Sequence, residues 1–386
     1  MLLKQGKWRV GRILFLAVML IGIGLFGLGC VEGLQPIGWS GGAVSGDTMF
    51  VGSSEGRLVA INLSDESRQW TMPLKRTGQT GGLFGCAPAY GGGCGGGASG
   101  VAIYGTPVIA GDLVYIGGHN GKVYAYTIES LSMRWVYPRE GYFEPIVGGL
   151  VVARGKVYFG NSDGNVYALD AATGDPLWEF KTGEKIWSTP AISNGTLYIG
   201  SFDKKLYALN ADDGSIVWEF PTEGSIITTP LVSNGTVYFG SFDRHFYAVN
   251  IADGSLKWKF MGENWFWAQP VLYENTIYAG CLDDKVYALR ADNGNKVAEF
   301  NLGSPVSSSP VIFDSSIIFA SREGMVYTID TRNNSLRELA TMEEKVYGPL
   351  SISDEIVYIH TQDLTLHRIN ALNGAVLRSI SLKSQN

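Results

Sequence analysis

A repeat of about forty residues constrains this chain more than any other feature. The run VYFGNSDGNVYALDAATGDPLW (Val157–Trp178) recurs as LYIGSFDKKLYALNADDGSIVW (Leu197–Trp218) and again as VYFGSFDRHFYAVNIADGSLKW (Val237–Trp258). A fourth copy, IYAGCLDDKVYALRADNGN, begins at Ile277. Gly160, Gly200, Gly240 and Gly280 keep one spacing of 40 residues, and Ala320 and His360 continue it. Towards the amino terminus, VYIGGHNGKVYAY at Val114 and MFVGSSEGRLVAIN at Met49 are two further copies, which makes eight.

Each copy reads as four strands. In the copy that starts near Thr189 these are TPAIS, TLYIGS, KLYALNA and SIVWEF. Asn194-Gly195 joins the first two, and Asn234-Gly235 repeats the device; Asn-Gly suits a two-residue type I′ hairpin, whose central residues need positive φ. Asp163-Gly164 and Asp213-Gly214 mark other hairpins. Strands two and three are apolar or aromatic on both faces, with Leu197 and Ile199 on one side and Tyr198 on the other. A sheet exposed on one face alternates with polar residues, so these sheets are predicted to be sandwiched. Eight such sheets close most economically as an all-β, eight-bladed propeller of four-stranded antiparallel blades. An open solenoid would need polar end caps, and the first and last copies keep the apolar pattern. The first copy begins at strand one, near Trp39, and the last ends at strand four, Val376–Leu382. Closure is therefore expected without an exchanged strand.

The copies lack the Trp-Asp dipeptide of WD40 blades and carry another signature, Ala-x-Asp/Asn-x-x-x-Gly-x-x-x-Trp. It stands complete as Ala168, Asp170, Gly174, Trp178, as Ala208, Asn210, Gly214, Trp218, and as Ala248, Asn250, Gly254, Trp258. Ala60, Asn62 and Trp70 keep it without the glycine, as do Ala125 and Trp135. This resembles the tryptophan-docking repeat of the PQQ-like propellers, a family that includes the quinoprotein alcohol dehydrogenases and the BamB lipoproteins of outer-membrane β-barrel assembly. The resemblance covers residues 37–382. It implies that Trp70, Trp135, Trp178, Trp218 and Trp258 lie across the adjoining blade, each buried indole N–H needing an acceptor. The last three copies have Ala298, Glu338 and Arg378 there, so blades six to eight are expected to interlock less tightly.

The dehydrogenase branch of the resemblance makes demands that this sequence does not meet. Those enzymes are longer and set adjacent cysteines against the quinone and a Glu/Asn/Asp cluster around calcium. The cysteines here, Cys30, Cys86, Cys94 and Cys281, are never adjacent. The Asp-Gly turns lack EF-hand spacing and read as plain hairpins. His119, His245, His360 and His367 fall on different blades without ligand spacing. No catalytic, cofactor-binding or metal residue is assigned, and a quinone-dependent dehydrogenase is kept only as the rival from another class.

Two features suggest binding. Trp178 to Pro190 spans 12 residues, whereas Trp70 to Pro107 spans 37. The excess is a Gly-rich insertion, residues 76–102, between blades one and two. Cys86 and Cys94 within it suit a disulfide in an exported protein; two free thiols in a loose loop are the alternative. The second feature is a register of aromatics three residues before the position of Pro190: Trp39, Tyr104, Trp187, Trp267 and Tyr347. Val147, Ile227 and Ser307 complete the series. These begin the innermost strands and would ring one mouth of the channel, either as a plug or as a recognition surface. The run Trp265-Phe266-Trp267 makes blade six the strongest part of that candidate face.

Residues 1–12 carry Lys4, Lys7, Arg9 and Arg12; Ile13 to Gly29 then runs 17 residues without a charge, and Cys30 follows. This order describes an export signal. A retained anchor of that length is at the short limit for spanning. Cys30 resembles the lipidated cysteine of bacterial lipoproteins, with Gly29 before it, although Gly27 stands where Leu is usual. Residues 1–30 thus read as a signal peptide or membrane anchor, and either tethers an extracytoplasmic body. The chain has 36 Asp and Glu against 30 Lys and Arg, and four of those bases lie in the leader, so the body is a poor partner for nucleic-acid phosphates. The leading expectation is a non-catalytic scaffold without cofactor, at the periplasmic face of an outer membrane or at the cell surface. Its partners would be envelope proteins, a BamA-like assembly factor where an outer membrane exists. A surface propeller that binds a glycan or an extracellular protein is the rival among binding proteins.

Overall fold

Among the described residues, thirty-two strands, taken four at a time in chain order, form eight separate four-stranded antiparallel sheets. The computed structural model describes residues 40–53, 56–71, 74 and 101–383, within a compact unit of residues 37–386. The blades cover residues 42–70, 108–137, 151–181, 191–221, 231–261, 271–301, 311–341 and 351–381. The leader with Cys30, and the insertion with Cys86 and Cys94, lie outside the described residues, as does Trp39.

Blade four shows how sequence becomes strand. Ala191–Ser193 and Thr196–Gly200 are joined through Asn194 and Gly195, with φ of 50° and 82°. Positive φ at both positions is the type I′ geometry, and glycine carries it at no steric cost. Lys205–Asn210 and Ile216–Pro221 complete the blade. The middle strands are buried on both faces because a neighbouring blade covers each side, as Leu197, Ile199 and Leu209 pack on Tyr158 and Val166 of blade three.

Among the described residues no strand is exchanged between blades. The ring closes at the seam of blades eight and one, where the Gly42 N–H donates to Ser351 Oγ at 2.8 Å and that hydroxyl donates back to the Gly42 carbonyl. Met49, Val51 and Val59 share a core there with Tyr358, Leu366 and Ile380. Beside it, Glu66 pairs with Arg368 at 2.5 Å.

Four seams carry a docked indole. Trp135, Trp178, Trp218 and Trp258 each donate Nε1–H to a carbonyl of the next blade: Ala171 at 2.9 Å, Ala211 at 3.1 Å, Ile251 at 2.9 Å and Ala291 at 3.0 Å. The ring covers the motif glycine of that blade; a Cβ on Gly254 would lie 2.8 Å from the Trp218 indole. Here the signature glycine serves two ends, a positive φ and a site flat enough for the indole.

Trp70 departs from the expected arrangement. In blades two to six a bulge after the motif alanine sets Trp or its substitute opposite that alanine, as with Ala168↔Trp178. Blade one has no bulge, so Ala60 faces Gln69 and Trp70 faces Val59. A slip of one residue turns the side chain to the other face of the sheet. Trp70 accordingly packs at the closing seam with blade eight, not over blade two. In blade seven the bulge is displaced to Val326/Tyr327, and Leu339 fills the space beside Gly374.

Candidate functional site

The inner-strand register places its residues around the axis. Tyr104, Trp187, Trp267 and Tyr347 line a cavity of about 390 Å³, together with Val147, Ile227 and Ser307 from the same series. Two residues further along the extended segments that lead into the inner strands, the side chains turn back towards the axis. They supply a second, hydroxyl- and amide-bearing layer of Thr106, Thr189, Thr229, Gln269 and Ser309. His119 also lines the cavity, 5.4 Å from the Tyr104 ring, and burial holds its pKa below the usual histidine value. No Asp, Glu, Lys or Arg is among the described lining residues.

The Trp265-Phe266-Trp267 run divides into three environments. Trp267 faces the cavity and Trp265 is 42 % exposed outside it. Phe266 is a correction to the expected binding face, because it is fully buried among Phe246, Trp258 and Tyr287. It occupies the place that Ile186, Ile226 and Val306 fill in other blades. There it packs on Gly240 of blade five, where a Cβ would come within 2.3 Å of its own. The alternation of an extended chain sends the middle residue inward.

The remaining rings form a continuous arc over blades four to six. Trp187 meets Phe202 edge-on at 4.8 Å, Phe202 meets Phe242 at 6.3 Å, and Phe242 stacks on Trp265 at 4.4 Å with 13° between planes. Lys185 Nζ lies 4.4 Å from the Phe202 ring centre and 4.9 Å from that of Trp187, within cation–π reach. Sequence reading did not single out Phe202, Phe242 or Lys185. The available signal was Phe202 and Phe242 in identical SFD triplets, inside the turn that joins strands two and three.

That turn is braced from below. Asp203 Oδ2 accepts the Tyr207 hydroxyl at 2.8 Å and the Gly183 N–H at 2.7 Å. Asp243 repeats the bracing with Tyr247 and Glu223, and Asp283 with Tyr287 and Glu263. Burial alone would raise the Asp243 carboxyl, but the Tyr247 hydroxyl and the N–H groups of His245 and Glu223 hold it below the ordinary carboxylate value. Each brace ties the connection entering a blade to the hairpin of that blade, so the rings stand on fixed supports.

The described residues offer little for bond-making chemistry. Cys281 is buried, and burial pushes its thiol up to about 12; the thiolate is the nucleophile. Among the described residues no group of three His, Cys, Asp or Glu side chains is placed to hold a metal ion. His245, His360 and His367 stand on separate strands of blades five and eight.

An eight-bladed ring whose outer-strand indoles dock on the glycine turn of the next blade defines the PQQ-like class of propellers. The family model described as outer membrane protein assembly factor BamB matches residues 40–180 and 162–380, and the chain belongs to this BamB-like propeller family. The crystal structure of BamB from Moraxella catarrhalis is similar over 60 % of this chain and 71 % of that one, at 19 % identity and a TM-score of 0.54. A computationally designed protein, Ika8, matches 86 % of this chain and 95 % of its own length, at 16 % identity and a TM-score of 0.69. Both likenesses are of fold. No curated protein sequence matches.

Proposed function

We propose that this chain is a non-catalytic, extracytoplasmic scaffold of the cell envelope, tethered through its amino-terminal segment, and that it holds protein partners of outer-membrane protein assembly against the mouth of the ring. The single observation that carries this reading is the braced aromatic arc of blades four to six, which ends in Trp265 with 42 % of its surface exposed. Tryptophan at such a position is the side chain most enriched at the energetic centres of protein interfaces. Family membership points the same way, since the matching model is that of an assembly factor. Lys185 adds a charge that would favour an acidic rim on the partner.

The test is a pull-down of the tagged full-length protein from detergent-solubilised envelope. Recovery of a BamA-like β-barrel assembly factor is expected, with at least a severalfold loss for Trp265→Ala, which removes exposed surface and no core contact. Failure to recover any outer-membrane assembly component would overturn the reading.

A further inference from the structure

We propose that the axial cavity is a binding site for a small, uncharged saccharide, a mono- or disaccharide held between aromatic rings. The inference rests on the cavity alone and does not depend on the envelope-scaffold reading. Its volume of about 390 Å³ is at the lower end of ligand pockets, suited to one or two sugar rings.

The lining decides the chemistry. Among the described residues it contains no charged side chain, and burial disfavours the charged form of its one imidazole, His119. Two cations approach lining rings, Lys185 at Trp187 and Arg322 5.7 Å from the Tyr347 ring centre, but neither is itself among the lining residues. A charged ligand would lose its hydration here without a counter-charge, which is costly. A neutral ligand would not.

What the lining does offer is a set of flat apolar rings above a layer of hydroxyl and amide groups. Trp187, Trp267 and Tyr347 line it, rings of the kind on which the C–H face of a pyranose can lie. Thr189 Oγ1 already accepts the Gly149 N–H at 2.7 Å, and Ser309 Oγ accepts the Gln269 N–H at 3.2 Å. Each hydroxyl thus keeps its own hydrogen to donate. Gln269 adds an amide that both donates and accepts.

Ser307 supplies the independent sign of a missing ligand. It lines the cavity, is only 6 % exposed, and its Oγ has no hydrogen-bond partner. Buried hydroxyls are ordinarily satisfied, and an orphan asks for an explanation. A sugar hydroxyl seated between Ser307 and Gln269 provides one.

The experiment is titration of the full-length protein with maltose, cellobiose, lactose and N,N′-diacetylchitobiose, followed by tryptophan fluorescence and calorimetry. Glucuronate, glucosamine and a blocked tripeptide, acetyl-Gly-Phe-Gly-amide, serve as counter-probes. Saturable binding of at least one neutral disaccharide is expected, weakened about tenfold or more by Trp267→Ala, as for a central aromatic anchor. Gln269→Ala should weaken it as well, and Ile216→Ser, exposed on the outer strand of blade four and outside the cavity, should leave it unchanged. Thermal melts of each variant separate lost binding from lost folding, and Gln269→Ala, which touches no core cluster, keeps the test decisive if Trp267→Ala unfolds. The proposal is overturned if no neutral sugar binds at millimolar concentration, if the charged probes or the tripeptide bind as well as the sugars, or if binding ignores both cavity substitutions.

Discussion

A docked indole in this ring does three things at once: it covers a glycine, satisfies its own N–H, and caps a carbonyl of the next blade. For Trp218 these are Gly254, and the Ile251 carbonyl at 2.9 Å. Trp218→Ala should therefore cost about 3–5 kcal/mol, the usual range for truncating a buried Trp, read as a lower urea midpoint with unchanged slope. Gly254→Ala should also destabilise, because its φ of 70° disfavours a side chain and the added Cβ would strike the same ring. If the two losses added fully in the double variant, the residues would not be coupled as described. A second residue-scale prediction concerns His360, which is 4 % exposed at the closing seam with Nδ1 on the Ser40 carbonyl at 3.0 Å. Burial holds its pKa below the usual value, against smaller upward pulls from that carbonyl and from Asp363. The unfolded chain, with a histidine pKa of about 6.5, takes up the proton more readily than the folded one. His360 therefore contributes stability above that pH, and the contribution falls as pH drops through 6.5 towards the folded pKa. Urea midpoints at about pH 7.5 and about pH 5.5 should differ less in His360→Gln than in the parent; an identical difference would refute the assignment, since His119 and His367, also lowered by burial, remain in both proteins.

At the scale of strands and blades, much was legible because hydrophobic pattern and turn chemistry agree. The Asn-Gly pairs at 194–195 and 234–235 take positive φ at both residues, and the strands they join fall where the alternation ends. Which face a side chain occupies was harder to read. Ala60 and Trp70 have the same separation as Ala168 and Trp178, yet one bulge present in blade three and absent from blade one sends the two indoles to opposite faces. A bulge is a backbone event without a fixed residue signature in these copies, so spacing alone could not reveal it. Phe266 shows the same limit, since three aromatics in a row do not announce which one faces the core. The second ring layer was hidden for a different reason: Thr189, Gln269 and Ser309 are chemically ordinary until closure aims them at one axis. Outer strands yield an element-scale prediction. That of blade eight shrinks to Ile380–Ser381, against six residues in blades three to six. Amides of Thr365–Asn370 in blade eight should exchange with deuterium faster than those of His245–Asn250 in blade five, because local opening is set by the few contacts that cover an edge. Equal protection in the two strands would argue that outer-strand length does not limit opening.

Over the whole molecule the ring is mechanically lopsided. Indoles docked on the next blade's glycine lock the four consecutive seams from blade two to blade six, while the seam of blades seven and eight relies on apolar packing and that of blades eight and one on a core that Trp70 and Tyr358 join, with the Glu66–Arg368 pair beside it. The aromatic arc belongs to blades four to six, so the proposed recognition face is carried by blades that docked indoles join. This asymmetry suggests how to extend the lock. Blade six keeps the bulged register, with Ala298 opposite Ala288 where blade five sets Trp258 opposite Ala248. In blade seven the docking glycine is replaced by Asn334, already at a φ of 54°. Ala298→Trp combined with Asn334→Gly should let an indole lie over blade seven and reach the Thr331 carbonyl, which stands where Ala291 accepts Trp258. The pair should raise stability by about 0.5–2 kcal/mol, as other space-filling changes do. Ala298→Trp alone should gain little, because the Asn334 side chain occupies the landing site, and Asn334→Gly alone should lose a little through the freer unfolded chain. A double-mutant cycle measured by urea unfolding gives the coupling directly. A coupling near zero would mean that the docking motif is not transferable, and that blade seven's displaced bulge governs its seam independently of the residue at 298.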